Sequence, residues 1–334
     1  MNNSTTRDEL VIGTSAGTSK NWNWHPDIPI KYSPLFEPKP KLLEVVRWFG
    51  QAWLPLTELT CYLLIAIVVW NWVQPPLSET TEFTFDWIGA VWARNLGMMI
   101  LLTTFLHLWL HRWQKQDKAF RYLHKSPTEK HPKFLGGHQV RDNIFWTLAS
   151  GVTLWTAYEC FLWYSYANGH APLVMFAENP IWFVLWFPVI GIWFSFHFYW
   201  VHRFLHWKPM YRHFHSVHHR NITTGPWSGF SMHPVEHVLY LSSILIHLVV
   251  PSHPIHMLFH AYFLTLGTST SHSGYQALLI GNSSKFVISS FFHQLHHRYF
   301  NCNFGNTELP MDRWFGSFND GTTAATRKLL KERG

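Results

Sequence analysis

The most constraining feature of this chain is a set of long apolar runs, each close to the length needed to cross a lipid bilayer. A helix needs roughly 20 apolar residues to span a hydrocarbon core about 30 Å thick. Four runs approach that length without alternating apolar and polar residues, which argues against strands. They cover residues 54–73, 89–110, 144–166 and 181–201. The sequence therefore predicts four transmembrane helices.

The composition agrees with a membrane protein and argues against a nucleic-acid-binding one. Of the 334 residues 47% are hydrophobic and only 13% are charged, with 20 Trp and 27 Phe. Aromatic side chains of this kind collect at the headgroup level of a bilayer. The net charge of +7 is spread over loops between apolar runs, which favours contact with anionic lipid headgroups. The three cysteines are too few and too scattered for a disulfide framework.

Charge in the loops predicts the orientation of these helices. The loop 112–141 carries eight Lys and Arg, whereas the loops 74–88 and 167–180 carry none. Basic loops stay in the cytoplasm, so we expect both termini and the region after residue 201, except for the hairpin described next, to be cytoplasmic. A further apolar stretch, 238–267, is broken by VVPSHPIH and is interpreted as a re-entrant or interfacial helical hairpin.

These patterns divide the chain into regions and predict an all-α integral membrane protein. The transmembrane stem is joined to a cytoplasmic helical cap that is rich in histidine. The regions are a polar, partly flexible N-terminal segment (1–52), the stem (53–201), a histidine-rich region that includes the hairpin (193–319) and a tail (320–334).

Histidines cluster just past the fourth apolar run, in the stretch HRFLHWKPMYRHFHSVHHR. They form one HxxxH box and one HxxHH box, and a second HxxHH box lies further along the chain. The members are His202 and His206; His215, His218 and His219; and His293, His296 and His297. Residues four apart share a helix face, and neutral imidazole is the commonest metal ligand. Gathering eight imidazoles costs desolvation and mutual repulsion on protonation, and a bound transition metal offsets that cost. Isolated histidines elsewhere are interpreted as ordinary core or interfacial residues.

Several other metal-site patterns are absent from the sequence. There is no HExxH zinc-protease motif and no Glu-x-x-His pair of the carboxylate di-iron bundles, and no GxGxxG or P-loop occurs. An imidazole-rich metal site at a membrane face favours oxygen chemistry on a lipid. The alternatives are a metal transporter, a haem-type electron-transfer protein and a non-catalytic metal-binding relative.

Five motifs in order resemble the sterol desaturase/fatty-acid hydroxylase superfamily of membrane histidine-box enzymes. They are YWVHRFLHW, FHSVHH, MHPVEH, SHSGY and FHQLHHRYFNCNFGNTELPMDRWFGSF, all within residues 193–319. The FN-x-N-x-G stretch and the DR-x-x-GS ending resemble those of sterol C5-desaturases (lathosterol oxidases). The resemblance implies that residues 193–319 form the catalytic region. It also implies that the helical cap holds a histidine-rich non-haem centre of two iron ions, which uses O2 to attack an unactivated C–H bond.

Carried over residue by residue, the resemblance makes the eight box histidines and one more the expected metal ligands. The additional ligand is His272 of SHSGY. Four other residues, which are His233, Glu236, His237 and Asn303, are candidates for orienting the ligands through hydrogen bonds.

The resemblance implies a lipid desaturase or hydroxylase that needs an external electron donor. The donor is expected to be a cytochrome b-type or ferredoxin-type protein, drawn to basic residues after the fourth run, which are Arg203, Lys208, Arg212 and Arg220. A sterol-like and a fatty-acyl substrate both stay open, as do desaturation and hydroxylation. Glu58 and Glu159 lie inside predicted spans, where they either line a substrate cavity or pair with Arg94 or an aromatic hydroxyl.

Overall fold

A computed structural model describes residues 22–54, 56–281 and 284–331, and most of these residues are helical. The α-helices, in chain order, are α1 (Leu42–Trp53), α2 (Glu58–Val68), α3 (Phe85–His107), α4 (Gln139–Trp146), α5 (Thr153–Ala167), α6 (Pro180–Leu205), α7 (Lys208–Met210), α8 (Ser216–His219), α9 (Pro234–Leu241), α10 (Pro254–Ser271), α11 (Phe291–Tyr299), α12 (Met311–Trp314) and α13 (Thr323–Lys331). π-Helical segments extend or join several of them, at Val69–Val73, Leu108–Arg112, Thr147–Val152 and Tyr211–His215. Short 3-10 helices lie at Pro34–Phe36, Leu77–Glu79, Leu135–Gly137, Pro226–Ser228 and Ser242–Leu248.

Two helices in the described residues are long and apolar enough to cross a membrane. They are Phe85–Arg112 and Pro180–Leu205, which correspond to the second and fourth predicted runs. A third span results if α1 and the helix Glu58–Val73, which meet at 54°, are counted together. The number of four spans therefore stays a prediction.

The third predicted run, 144–166, is helical throughout as part of α4, the π-helical segment and α5, but it is not among the helices that meet these length and apolarity limits. Several of its polar residues are buried, among them Thr147, Thr156 and Glu159. Glu159 is buried and forms an ion pair with Arg94 of α3, and its second carboxylate oxygen accepts a hydrogen bond from Asn95. Of the two alternatives for Glu159, the structure shows the pairing with Arg94.

The stretch predicted as a helical hairpin does form two helical arms. The first is α9 with its 3-10 extension Ser242–Leu248, and the second is α10. α10 is capped at its start by His253, whose ring accepts from the backbone of Ile255, and Pro254 follows at the first helical position. Most of α10 is buried, and it packs against α2, α3 and α5. It therefore forms the centre of the helical bundle and ends beside the third histidine box.

The all-α prediction was incomplete, because a small antiparallel hairpin joins α10 to α11. It consists of β1 (Ala277–Ile280) and β2 (Ser284–Val287), with Ala277 opposite Val287. The segment has too few residues to show a period-2 pattern against its apolar surroundings, which is why it was missed.

Residues 22–36, assigned above to a partly flexible segment, pack against the histidine-bearing region. Trp22 is buried against Phe291 of α11, with ring centroids 4.9 Å apart. The backbone amide of Ile30 donates to Asp320 and that of Ser33 donates to Thr307, both at 2.9 Å. The rest of the predicted segment's first part, residues 1–21, lies outside the described residues. Residues 22–36 thus pack against α11, which carries the third box, and against the loops that follow it.

Candidate metal centre

The three boxes leave the bundle on three separate helical segments. His202 lies in the last turn of α6 and His206 caps its end. The second box spans the π-helical segment Tyr211–His215 and α8, and the third box lies on α11. His272 caps the end of α10, so four chain segments meet at one place.

The nine predicted ligands form two adjoining groups of imidazoles. In each group the candidate ligand nitrogens lie within 4.8 Å of one another. The first histidine group consists of His202, His206, His215, His219 and His296. The second histidine group consists of His218, His272, His293 and His297. The rings of His219 and His297, one from each group, have centroids 5.0 Å apart. The structure brings together every ligand candidate named from the sequence.

The two HxxHH boxes serve the two groups in opposite ways. In the second box, His215 and His219 belong to the first histidine group and His218 to the second. In the third box, His293 and His297 belong to the second histidine group and His296 to the first. Residues four apart share a helix face, whereas adjacent residues point about 100° apart. The HxxHH spacing therefore lets one helix place ligands in two neighbouring groups.

In both groups the Nε2 atoms converge. Those of His206, His219 and His296 lie 3.0–3.2 Å from one another. Those of His272, His293 and His297 lie 2.9–3.2 Å from one another in the second histidine group.

Backbone carbonyls hold several of these rings through the Nδ1 atom, which is the ring nitrogen that points away from the group. The Nδ1 atoms of His202 and His296 lie 2.7 Å from the carbonyl oxygens of Phe304 and Cys302. His272 Nδ1 lies 2.9 Å from the carbonyl oxygen of its own helix at Thr268. Because a carbonyl only accepts, we assign the proton to Nδ1 in each case. The lone pairs of the Nε2 atoms are then directed into the groups.

This donor set fits transition-metal ions. Several acceptor lone pairs face one another at about 3 Å with no proton available to all of them, and a cation relieves that repulsion. Nitrogens at about 2.1 Å from one ion, placed at right angles, also lie about 3 Å apart. Imidazole suits iron, zinc and copper.

Burial keeps the imidazoles neutral, as metal ligands must be. Desolvation lowers the pKa of His218 to about 4. It also lowers the pKa values of His215, His219, His296 and His297 well below the ordinary value, with neighbouring imidazoles as the second cause. Nitrogen lone pairs are therefore free to bind a metal near neutral pH.

Asp312, in the motif DR-x-x-GS, holds the loop behind the first histidine group. Its carboxylate accepts from the backbone amides of Phe304 and Gly305, both at 2.8 Å, and from Ser317 Oγ at 2.6 Å. Arg313 pairs with Glu37. The DR-x-x-GS motif is the sequence signal for this role. Its Asp312 holds the loop whose carbonyls face His202 and His296.

Of the four residues expected to orient ligands, one contacts a ligand candidate directly. Glu236 Oε1 lies 2.7 Å from His215 Nδ1. His233 instead caps α9 by accepting from the amide of Val235. His237 contacts Ser150 and the carbonyl of Phe230. Within the described residues, neither of these two histidines forms a hydrogen bond with a ligand candidate.

Asn303 acts on the loop rather than on an imidazole. Its backbone is in the left-handed region, with φ of 55°, a conformation that Asn tolerates better than most residues. Its side chain donates to the carbonyls of Phe292 and Asn319 and accepts from the Asn319 amide. Asn303 thus fixes the loop between the two carbonyls that hold His202 and His296.

An apolar cavity of about 270 Å³ adjoins both groups. Five of the nine imidazoles line it, which are His202, His215, His218, His272 and His293. Much of the remaining wall is apolar, including Phe194, Phe198 and Val201 of α6. The volume is close to the lower end of ordinary ligand pockets. One side of the two histidine groups therefore faces a space suited to an apolar molecule.

Comparison with known proteins shows what this fold and site resemble. Residues 187–317 match the model of the fatty acid hydroxylase family, and this range contains all nine imidazoles. The match confirms the resemblance of the motifs to the sterol desaturase/fatty-acid hydroxylase superfamily, and the chain is an integral membrane protein.

Two of the similar proteins are sterol desaturases of fungi. The chain is 28% identical to a Delta(7)-sterol 5(6)-desaturase of Aspergillus fumigatus over 235 residues, covering 69% of this chain and 64% of the relative. It is 28% identical to the Delta(7)-sterol 5(6)-desaturase of Saccharomyces cerevisiae over 254 residues, covering 71% and 67%. The match thus spans about two thirds of each relative's length. No solved structure matches the chain.

Proposed function

We propose that this chain is an O2-dependent membrane lipid oxidoreductase whose two histidine groups hold two iron ions. It desaturates or hydroxylates an unactivated C–H position of a sterol-like or fatty-acyl lipid. The observation that carries the proposal is the convergence of nine imidazoles beside an apolar cavity. The superfamily and the names of the relatives support lipid oxidation, and those names favour a sterol.

The chain's own residues supply position and surroundings. Bound iron would supply the power to activate O2 and remove hydrogen from a C–H bond. Phe304, Cys302 and Thr268 hold imidazoles through their carbonyls, so the Nε2 atoms need little rearrangement to bind metal. The apolar side chains of α6 exclude water and place the lipid chain or ring against the exposed edge of both groups.

Electron delivery is proposed to come from a separate protein on the cytoplasmic side, of the cytochrome b-type or ferredoxin-type. Of the basic residues named above, Arg203, Lys208 and Arg212 are exposed, whereas Arg220 pairs with Asp142. Lys208 and Arg212 follow within six residues of His206, the partly exposed member of the first histidine group. An acidic donor docked there would reach the metal centre by a short path.

The direct test is lipid analysis by mass spectrometry of cells with and without the gene. The proposal predicts a lipid that has lost two hydrogens or gained one oxygen only where the gene is present. His218→Ala should abolish that product while the protein still inserts. His213→Ala is the matched control, since His213 lies in the same stretch but is exposed and outside both groups. An unchanged lipid profile, or product formation by His218→Ala, would contradict the proposal.

The visible spectrum of the purified protein separates this function from a haem-type electron carrier. Nine converging imidazoles exceed the two axial ligands that a haem needs, so the proposal predicts no Soret band. A Soret band that the His218→Ala and His296→Ala variants lose would favour the haem alternative.

A further inference from the structure

We propose that Glu58 is the polar anchor of the cavity and accepts a hydrogen bond from an alcohol group at the polar end of the lipid. The inference rests on the proposed function, because it takes the cavity beside the histidine groups as the substrate site. It goes further by choosing between the two lipid classes, since an alcohol donor is what a sterol offers and a fatty acid does not.

Glu58 is the first residue of α2 and lines the same cavity as the imidazoles. Its Oε1 accepts from the hydroxyl of Tyr62, and the hydroxyl of Thr270 on α10 lies within hydrogen-bond distance of the same oxygen. These two hydroxyls lie 3.2 Å apart. Both contacts involve one carboxylate oxygen, so Oε2 is available to a ligand in the cavity.

The position of Thr270 relates this carboxylate to the second histidine group. Thr270 precedes the ligand candidate His272 by two residues, near the end of α10. Thr268, Ser271 and His272 also line the cavity. At a rise of 1.5 Å per residue, the end of one helix therefore presents both the anchor region and a metal-binding imidazole. A lipid held by its polar end at Glu58 would extend along the imidazole wall.

The charge of the cavity favours an alcohol over an anionic headgroup. Among the described residues lining it there is no Lys or Arg, whereas three are acidic: Glu58, Glu236 and Glu308. A carboxylate or phosphate on the lipid would find no Lys or Arg among these residues to balance its charge at low dielectric, which is costly. An alcohol carries no charge and can instead donate a hydrogen bond to Glu58 Oε2.

The test measures lipid binding directly, without requiring turnover. The probes are 5α-cholest-7-en-3β-ol, its 3-methyl ether and octadecanoic acid, each titrated into the purified protein in detergent. The methyl ether has the same ring system but cannot donate a hydrogen bond. We expect the wild-type protein to bind the alcohol about 10-fold or more tightly than the ether, and octadecanoic acid more weakly than the alcohol.

Two variants assign that discrimination to Glu58. Glu58→Leu should bind the alcohol and the ether equally, and Glu58→Gln, which keeps an acceptor oxygen but loses the charge, should discriminate less than the wild type. Glu82→Leu and Glu82→Gln are the matched controls, because Glu82 is an exposed acid outside the cavity. Helix content by circular dichroism and metal content verify that each variant is folded.

The outcomes separate this inference from the proposed function. Equal binding of alcohol and ether by the wild-type protein, tighter binding of octadecanoic acid, or unchanged discrimination in Glu58→Leu would overturn it even if product forms. Discrimination that is lost in Glu58→Leu supports the anchor even if no product forms in cells.

Discussion

His215 Nδ1 lies 2.7 Å from Glu236 Oε1, and both side chains are buried. The second oxygen of Glu236 is also buried and has no hydrogen-bond partner among the described residues. A buried carboxylate with one side open is costly, and burial raises the pKa of Glu236 well above its usual value. The burial of Glu236 therefore costs folding free energy. Its contact with His215 indicates that the carboxylate is there to orient that imidazole.

Removing this carboxylate should weaken metal binding without abolishing the fold. We expect Glu236→Ala to lower metal affinity by about 10–100-fold, the usual effect of losing a partner that orients a ligand. Glu236→Gln, which keeps an acceptor for His215, should lose less. Competition with a chelator, followed by metal analysis, measures the difference. Glu44→Ala on the exposed face of α1 is the control, and equal metal retention in all variants would contradict this role.

Asp312 should contribute stability through the loop 302–305. Asp312→Asn replaces one carboxylate oxygen by an amide donor, so one buried backbone N–H loses its acceptor, which costs about 1–3 kcal/mol. Thermal unfolding should show a lower midpoint for Asp312→Asn. Ser317→Ala, which removes only the hydroxyl bond to Asp312, should show a smaller decrease. A midpoint that Asp312→Asn leaves unchanged would show that the loop holds His202 and His296 without this carboxylate.

Gly229 should be required for the approach of two chain segments at the second histidine group. A Cβ at this position would lie 1.9 Å from the carbonyl oxygen of Thr268, the acceptor for His272. The φ of Gly229 is −62°, so the obstacle is steric rather than torsional. We expect Gly229→Ala to destabilise the protein by about 1–3 kcal/mol or more and to reduce metal content.

The control for that substitution is Gly191→Ala on α6, where an added Cβ would meet nothing within 4 Å. This variant should retain the wild-type unfolding midpoint and metal content. If both glycine variants behaved alike, the close contact at Gly229 would have no consequence for the site.

The metal-free protein should lose stability as the pH falls below about 6.5. Unfolded histidines titrate near that value, whereas burial lowers the pKa of His218 to about 4. Between these values the unfolded chain binds more protons than the native one, so acidification favours unfolding. Stability from this source is fully present above about pH 6.5 and is lost as the pH falls toward 4.

Unfolding midpoints of the metal-free protein at about pH 7.5 and about pH 5.5 measure this dependence. Bound metal should protect the protein until protons displace it from the imidazoles. The His213→Ala variant should follow the wild-type curve, because the exposed His213 is outside the site. A midpoint that does not change over this range would indicate that the imidazoles are not buried in the neutral form.

The ligand candidates could be predicted from the local spacing of the histidines, but their division into two groups could not. The i,i+4 pairs, such as His215 with His219, share a group as helix geometry requires. His296, and not His297, belongs to the same group as His202. This division depends on how α11 lies relative to α6, which no local sequence pattern encodes. The same holds for Glu236 and Asp312, whose partners lie 21 residues and seven to eight residues away. The apolar runs predicted the helices of the stem, but the short β1–β2 hairpin had too few residues for a signal.

The most direct test of the central claim is the iron content of the purified protein, determined by elemental analysis together with its visible spectrum. We expect two iron ions per chain and no haem absorption. We also expect His206→Ala and His297→Ala, one from each histidine group, each to lose iron while His213→Ala does not. A protein that binds no metal, or that keeps its full iron content after both group substitutions, would contradict the account.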